Sequence, residues 1–237
     1  MFHSRSPALM RLFVDSANLE EIRTAASWGI LSGVTTNPTL LAKEDPTVDI
    51  RQRLKEIHAI VGGHISIEVV STDTAGMLRE AEEIVSWLPV AVIKIPRTPE
   101  GMAAVRELAR QGIPTNVTLV FSPAQALIAA NAGARFISVF LGRLDDIGAD
   151  GLQVLGTVCE IWERQGLEAE IIAASLRHPM HLVEAARLGA DIATAPFRVL
   201  QQAMKHPLTE SGLHSFLADY HRLQEAQARA RQVPLVL

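Results

Sequence analysis

A single lysine lies in an apolar run that the sequence predicts to be a buried strand. Lys94 stands in residues 91–96, between Ile93 and Ile95. Loss of water around an ammonium group favours the neutral amine, and a neutral amine in an enclosed polar pocket attacks a carbonyl carbon to form a Schiff base. The alternative is a lysine at a strand end whose aliphatic stem packs while its ammonium group reaches solvent. The other polar residues of the chain favour the first interpretation.

Further polar residues interrupt the other apolar runs near their carboxyl ends. Glu68 interrupts residues 65–70, and Asn116 and Thr118 lie two apart, hence on one face of a strand. The remaining polar positions of this kind are Asp15, Thr35, Asn37 and Ser175, and Phe140 lies near the end of the sixth strand. In an α/β barrel the carboxyl ends of the strands are where active sites are built. So many buried polar groups at one end would be costly without a function.

The chemistry of a Schiff base suggests a role for several of these residues. The carbinolamine must be dehydrated, and the imine must later be hydrolysed. Glu68 can catalyse both steps through a water held by Thr118. Breaking the adjacent C–C bond requires a base for the C4 hydroxyl proton, and Asp15 is the best candidate. Asn37 and Asn116 offer amide donors and acceptors to a polyhydroxylated substrate. The alternative for Asp15 is a cap on the helix that follows it.

A second cluster of polar residues follows the sixth and seventh predicted strands. Arg143, Ser175 and Arg177 provide two guanidinium groups and a hydroxyl, which suit a phosphate dianion. The alternative is a pair of surface arginines in ion pairs with Asp145 or Asp146.

Two further clusters are weaker signals. Asp145, Asp146 and Asp150 resemble a carboxylate metal site, but no other ligand lies near them in the sequence, and we predict no metal. His178 and His181 could face one way on a helix, but two histidines do not make a zinc site, and a solvated face is the preferred interpretation.

The elements that must position these residues alternate between short strands and longer helices. This order predicts an α/β fold, a single (β/α)8 TIM barrel with an additional C-terminal helix. An open doubly wound sheet would need a glycine-rich loop after its first strand, where residues 15–18 have none. The predicted strands are 12–15, 33–37, 65–70, 91–95, 115–120, 136–141, 171–175 and 192–195. The predicted helices are 19–28, 48–61, 74–88, 99–110, 123–132, 151–165 and 179–188.

Composition and length limit the class of protein. The 237 residues are 48% hydrophobic, with a net charge of −4, which favours neither nucleic acid nor an anionic membrane surface as a partner. We expect no membrane span and no secretory signal, and therefore a cytoplasmic protein. Residues 1–9 are predicted to be a disordered extension, with Met1 or Met10 as the true start.

The barrel is predicted over residues 10–207, and residues 208–237 are predicted to form a C-terminal helix and tail. An apolar stripe along that helix must dock on its own barrel or on a neighbouring subunit. The stripe consists of Leu213, Phe216, Leu217, Tyr220 and Leu223.

Six segments in order resemble the short transaldolases, a family that includes the fructose-6-phosphate aldolases. They are residues 13–18, 33–40, 92–96, 116–122, 142–146 and 173–177, and the resemblance runs from about Met10 to the end of the last helix. It implies a barrel with a Schiff-base lysine on strand four and with no metal or cofactor. It also implies transfer of a dihydroxyacetone unit from sedoheptulose 7-phosphate to glyceraldehyde 3-phosphate, giving erythrose 4-phosphate and fructose 6-phosphate, in the non-oxidative pentose phosphate pathway.

The resemblance also implies roles and partners. Lys94 is the nucleophile, Glu68 and Thr118 hold the catalytic water, and Asp15 moves the C4 hydroxyl proton. Asn37 and Asn116 orient hydroxyls of the sugar phosphate substrates, and Arg143, Ser175 and Arg177 bind phosphate. Short members of the family assemble as homo-oligomers, pentamers or decamers, through the terminal helix.

Within this family the sequence resembles the transaldolase branch. Fructose-6-phosphate aldolases typically carry Gln where this chain has Glu68 and Tyr where it has Phe140. A tyrosine hydroxyl can protonate the dihydroxyacetone enamine and release it, whereas phenylalanine offers no proton. One departure is Val139, which stands where the family usually has proline.

Overall fold

The structure is a computed structural model that describes residues 9–232, with side chains through residue 229. Residues 1–8 of the predicted N-terminal extension lie outside this range, as do residues 233–237 of the predicted tail.

Eight parallel strands close into a barrel in which each strand pairs with the next and β1 pairs with β8. The prediction of a single (β/α)8 barrel with an additional C-terminal helix is confirmed. The strands are β1 Arg11–Asp15, β2 Leu31–Thr35, β3 His64–Glu68, β4 Val92–Pro96, β5 Thr115–Val120, β6 Phe136–Phe140, β7 Glu170–Ala174 and β8 Ile192–Ala195.

Helices alternate with the strands along the chain, with extra short helices after β2 and β6. Within residues 9–232 they are α1 Leu19–Ser27, α2 Pro38–Leu41, α3 Ile50–Val61, α4 Thr74–Trp87, α5 Pro99–Arg110, α6 Pro123–Ala132, α7 Gly142–Asp145, α8 Gly151–Gln165, α9 Pro179–Leu188, α10 Phe197–Ala203 and α11 Pro207–Gln232. The helices α2, α7 and α10 were not predicted, because helices of four to seven residues show little periodicity.

Helix ends follow from local side-chain chemistry. Thr98 caps α5 by accepting a hydrogen bond from Gly101 N, and Pro99 occupies the first helical position. Asn18 caps α1 by accepting hydrogen bonds from two backbone N–H groups. The interpretation of Asp15 as that cap is therefore wrong, and the Asp15 carboxyl is left for the barrel interior.

The amino-terminal end of the barrel interior is closed by an apolar layer. It contains Phe13, Val92, Phe136, Ile172 and Ile192. The ring of His64 lies against the rings of Phe13 and Phe136, with centroid separations of 4.9 and 4.4 Å. Polar side chains occupy the interior above this layer, toward the carboxyl ends of the strands.

The chain divides into two compact units, one through Leu200 and one from Gln201. The second unit contains α11, a helix of 26 residues in the part of the chain where a C-terminal helix was predicted. Its apolar stripe, Leu213, Phe216, Leu217, Tyr220 and Leu223, is more than half exposed. Among the described residues, no helix has the length and apolar character that a membrane span requires.

Candidate active site

Lys94 lies inside the barrel, paired with Glu68. The two residues are opposite each other in the β3–β4 register, and Lys94 Nζ is 3.0 Å from Glu68 Oε2. The same nitrogen donates a hydrogen bond to the carbonyl oxygen of Thr36 at 3.1 Å. Only 6% of the lysine side chain and 15% of the glutamate side chain are exposed. A surface lysine with its ammonium group in solvent is therefore excluded.

Asp15 stands on the neighbouring side of the same interior. It is opposite Thr35 in the β1–β2 register and accepts a hydrogen bond of 2.7 Å from Thr35 Oγ1. Thr35 Oγ1 also lies 2.6 Å from Thr194 Oγ1. Burial raises the pKa of Asp15, and the charge of Lys94 and the bond from Thr35 partly oppose that rise. A carboxyl group with a raised pKa is suited to accept and return a proton.

A bulge in β5 sets the direction of Thr118. The pairing of β5 with β6 shifts between Val117 and Val120, and Leu119 between them has a φ of 58°. A left-handed conformation is uncommon for leucine, and bulges of this kind re-aim side chains beside active sites. Thr118 Oγ1 is buried and has no hydrogen-bond partner among the described residues. That hydroxyl is available to a water or a substrate oxygen.

The two predicted asparagines differ in how deeply they are buried in the barrel. Asn37 lies beyond the end of β2 and caps α2, because its Oδ1 accepts a hydrogen bond from Leu40 N. Its amide nitrogen remains to donate to a ligand. Asn116 is fully buried; it donates to Ser66 Oγ at 3.0 Å and accepts from Ser138 Oγ at 2.8 Å. Asn116 thus lies behind Ser138, below the layer that a ligand would touch.

Phe140 ends β6 with its ring between an aromatic and a cationic neighbour. The Phe121 ring meets it edge-on at a centroid separation of 5.5 Å. The guanidinium carbon of Arg143 is 5.2 Å from the centre of the Phe140 ring. Within the described part of the chain, Arg143 forms no ion pair, so the alternative of a partner at Asp145 or Asp146 fails for this arginine.

The segment after β7 brings Ser175 and Arg177 beside α7. Ser175 has a φ of 59°, and its carbonyl oxygen accepts a hydrogen bond of 3.0 Å from Gly142 N. A Cβ on Gly142 would clash with Ser175 O and Arg177 Nε, so this approach requires glycine. Arg177 donates to Asp146 Oδ2 at 2.6 Å, the ion pair that the alternative named, and the same side chain also lines the cavity between the strand ends. Its side chain is 43% exposed.

These residues surround one cavity of about 480 Å³ at the carboxyl ends of the strands. Every site residue predicted from the sequence lines it except Asn116. Sequence reasoning missed Ser138 and Thr194, which also line the cavity. A signal was present for Ser138, which lies two residues before the predicted site residue Phe140 on the same strand and therefore shares its face.

The weaker clusters have structural explanations. His181 is 4% exposed, so its predicted place on a solvated face is wrong, whereas His178 is exposed. The described residues contain no group of three or more histidine, cysteine or acidic side chains arranged to hold a metal ion. Asp150 caps α8 by accepting a hydrogen bond from Gln153 N.

Fold and site together define a (β/α)8-barrel enzyme with a buried amine–carboxylate pair in its catalytic end. A family model described as transaldolase/fructose-6-phosphate aldolase matches residues 12–233, and the chain belongs to that family. The resemblance found in the sequence is thereby confirmed.

Curated relatives of this chain match its sequence over nearly their whole length. A probable transaldolase of Geobacillus kaustophilus is 56% identical over 213 residues, covering 90% of this chain and 99% of the relative. A probable transaldolase of Roseiflexus castenholzii is 52% identical over 218 residues, covering 92% of this chain and all of the relative. These relatives support an enzyme with transaldolase-type function.

A solved structure shares the fold alone. Thiamine phosphate pyrophosphorylase from Pyrococcus furiosus superposes with a TM-score of 0.59 at 14% identity, covering 82% of this chain and 93% of that one. Barrels of this kind support many chemistries, so the likeness carries no functional argument.

Proposed function

We propose that this protein is a transaldolase that transfers a dihydroxyacetone unit through a Schiff base on Lys94. The donor and acceptor are sedoheptulose 7-phosphate and glyceraldehyde 3-phosphate, and the products are erythrose 4-phosphate and fructose 6-phosphate. This is a reaction of the non-oxidative pentose phosphate pathway. The observation that carries the proposal is the 3.0 Å contact between Lys94 Nζ and Glu68 Oε2 in a cavity that Asp15 also lines.

The first step is attack of the Lys94 amine on the C2 carbonyl of the ketose. An ammonium group has no free electron pair, so a proton must leave before attack, and Glu68 is in contact to accept it. The resulting carbinolamine loses its hydroxyl as water when Glu68 returns a proton, leaving a protonated imine. Thr118 Oγ1, buried and without a protein partner, is suited to hold that water.

The second step breaks the C3–C4 bond. Asp15 takes the proton of the C4 hydroxyl, the C3–C4 electron pair moves toward the iminium nitrogen, and an aldose leaves with a new C4 carbonyl. A dihydroxyacetone enamine then remains on Lys94. Burial raises the pKa of Asp15, which makes it a stronger base once it is ionised beside the protonated imine. When the acceptor aldehyde binds, the enamine attacks its carbonyl carbon, and the same steps run in reverse to release the new ketose.

Arg143, Ser175 and Arg177 form the phosphate end of the proposed site. They line the same cavity as Lys94 but come from the segments after β6 and β7. The arrangement supports binding of an extended sugar phosphate, with its carbonyl at Lys94 and its phosphate at the arginines. Asn37 Nδ2 is then available to a hydroxyl of the substrate, and Asn116 accepts a hydrogen bond from Ser138 behind the cavity wall.

The transferase outcome depends on how long the enamine survives. Release of dihydroxyacetone requires a proton on the enamine carbon, and Phe140 has none to give. Phe121 and Arg143 flank the Phe140 ring, and neither side chain carries a hydroxyl that could replace the missing proton donor. The alternative activity is fructose-6-phosphate aldolase, because the matching family model covers both activities.

A coupled assay tests the proposal. With sedoheptulose 7-phosphate and glyceraldehyde 3-phosphate we expect erythrose 4-phosphate and fructose 6-phosphate in equal amounts. With fructose 6-phosphate alone we expect at most one equivalent of glyceraldehyde 3-phosphate per site, as the enamine accumulates. Steady release without an acceptor would instead establish the aldolase. Borohydride added with fructose 6-phosphate should leave a mass adduct on Lys94, and its absence despite turnover would reject the Schiff base.

We also propose that α11 joins copies of this chain into a homo-oligomer. Its apolar stripe exposes large side chains that a second copy could cover, including Phe216 at 73% and Tyr220 at 56%. Light scattering of the wild type and of the pair Phe216→Glu and Tyr220→Glu tests this. We expect a ring of five or ten copies that falls to monomers in the double variant, and a monomeric wild type would refute it.

A further inference from the structure

A buried histidine outside the cavity joins the two segments that carry the arginines. His181 lies on α9, and its Nδ1 accepts a hydrogen bond from the backbone N–H of Arg177 at 3.2 Å. Its Nε2 lies 3.3 Å from Asp145 Oδ2 in α7, the helix that carries Arg143. Only 5% of the His181 side chain is exposed. The imidazole therefore bridges the segment after β7 and the segment after β6.

The bridge specifies one form of the ring. Nδ1 can accept from Arg177 only without a proton, so the single hydrogen of a neutral imidazole is on Nε2, where it donates to Asp145. Burial lowers the pKa of His181, as do the neighbouring His178 and Arg177, while Asp145 opposes them. The environment thus favours the neutral ring that makes both contacts at once.

Other contacts also hold together the two segments that His181 bridges, α7 and residues 175–177, and we call the place where they meet the junction. Gly142 N donates to Ser175 O, and a side chain at Gly142 has no room. Asp145 Oδ1 accepts a hydrogen bond of 3.1 Å from Gly151 N, which ties the same carboxylate to the start of α8. Because both arginines extend from this junction, a change in its width alters the separation of their guanidinium groups.

We propose that His181 is a positioning residue that holds Arg143 and Arg177 at the separation a phosphate dianion requires. The inference rests on the proposed function, in which these arginines bind the phosphate of the substrate. His181 does not line the cavity and takes no part in bond making.

The test compares two acceptors that differ only in phosphate. In a ping-pong mechanism kcat/KM for the acceptor reports its reaction with the loaded enzyme alone. The readout is the ratio of kcat/KM for glyceraldehyde 3-phosphate to that for glyceraldehyde. His181→Leu removes both contacts and should lower the ratio about tenfold, the scale of the net contribution of about one hydrogen bond. The value for glyceraldehyde should stay within about twofold of wild type, the scale of a near-neutral surface change.

His181→Gln is the conservative variant, because its amide can accept and donate, and we expect it to restore most of the ratio. Met180→Ala, at an exposed position of the same helix, is the matched control and should leave the ratio unchanged. An unchanged ratio in folded His181→Leu, or an equal fall in Met180→Ala, overturns the proposal. If the leucine variant does not fold, Asp145→Ala breaks the same bridge from its partly exposed end and must lower the ratio.

Arg143→Gln separates this inference from the function on which it rests. If Arg143→Gln leaves the ratio unchanged, the phosphate site itself is misassigned. If it lowers the ratio while folded His181→Leu does not, the phosphate site stands and only the role of His181 fails.

Discussion

His64 makes the stability of the barrel depend on pH in a way that can be measured. Its ring lies between Phe13 and Phe136 at the amino-terminal end of the interior, and its Nε2 is 2.8 Å from Ser66 Oγ. Burial, with a smaller effect of Arg11 and Arg135, lowers the pKa of His64 from 6.5 to about 3. The folded protein therefore keeps this imidazole neutral at pH values where an unfolded chain protonates it.

The sign and size of the effect follow from linkage. Below pH 6.5 the unfolded state binds a proton that the folded state refuses, so the free energy of unfolding falls as the pH falls. Each pH unit well inside the window between the two pKa values costs about 1.4 kcal/mol. Between pH 7 and pH 5 the loss is about 2 kcal/mol, and it reaches about 4 kcal/mol at pH 3. The loss down to pH 5 hardly depends on the folded pKa, which lies far below that range.

The assay is reversible urea unfolding of the wild type and of His64→Gln at pH 7, 6 and 5. Glutamine does not titrate there and keeps a partner for Ser66 Oγ. We expect the wild type to lose about 2 kcal/mol more than the variant between pH 7 and pH 5. His214→Gln, on the exposed surface of α11, controls for loss of any one imidazole and should follow the wild type.

A nuclear magnetic resonance titration of the ring nitrogens gives an independent measurement. The His64 ring should stay neutral throughout pH 7 to 5, with its hydrogen on Nδ1. Parallel stability curves for wild type and His64→Gln would refute the reasoning, as would a ring that titrates near pH 6.5.

Four further substitutions test the site. Lys94→Ala should abolish turnover and the borohydride adduct, and wild-type-like activity would refute its role. Asp15→Asn should still form the imine but cleave the C3–C4 bond about 10²- to 10⁴-fold more slowly in single-turnover assays, the range for loss of a general base; cleavage at the wild-type rate would remove Asp15 as that base. Phe140→Tyr should raise the ratio of dihydroxyacetone release to transfer, and an unchanged ratio would count against our account of specificity. Gly142→Ala should raise KM for phosphorylated acceptors because its methyl group separates α7 from Arg177; equal KM values would show that the junction yields without cost.

The barrel architecture was predictable because the strand patterns, the helix patterns and their order along the sequence all agree with it. Runs of β-branched residues recur between amphipathic helices, and that alternation leaves few closed parallel arrangements. Once the strands are parallel, residues at their carboxyl ends must share one face of the barrel. Lys94, Glu68 and Asp15 could therefore be grouped before any coordinates, and strand register then explains the contact of Lys94 with Glu68.

Features that depend on tertiary packing could not be predicted. The bulge at Leu119 arises where β5 pairs with β6, and a Thr-Leu-Val run gives no local sign of it. Asn116 and Thr118 share a face, yet only coordinates show that the first is covered by Ser138 and the second reaches the cavity. The burial of His181 depends on a segment from another strand, so helical spacing alone misplaced it.

The polar interior explains how a barrel can keep a rigid site above an apolar base. Asn116 Nδ2 donates to Ser66 Oγ, which leaves the Ser66 hydroxyl hydrogen to donate to His64 Nε2. Ser138 donates in turn to Asn116 Oδ1, so one directed chain of hydrogen bonds runs from the apolar layer to the cavity wall.

Because a protonated His64 could no longer accept from Ser66, its neutrality is a condition for this chain and not only a consequence of burial. The same low polarity that keeps His64 neutral prevents water from competing for Ser66 and Asn116. The polar groups deeper in the barrel than Lys94 and Glu68 thus already have their hydrogen-bond partners. Lys94 and Glu68 therefore stay available to each other and to a substrate.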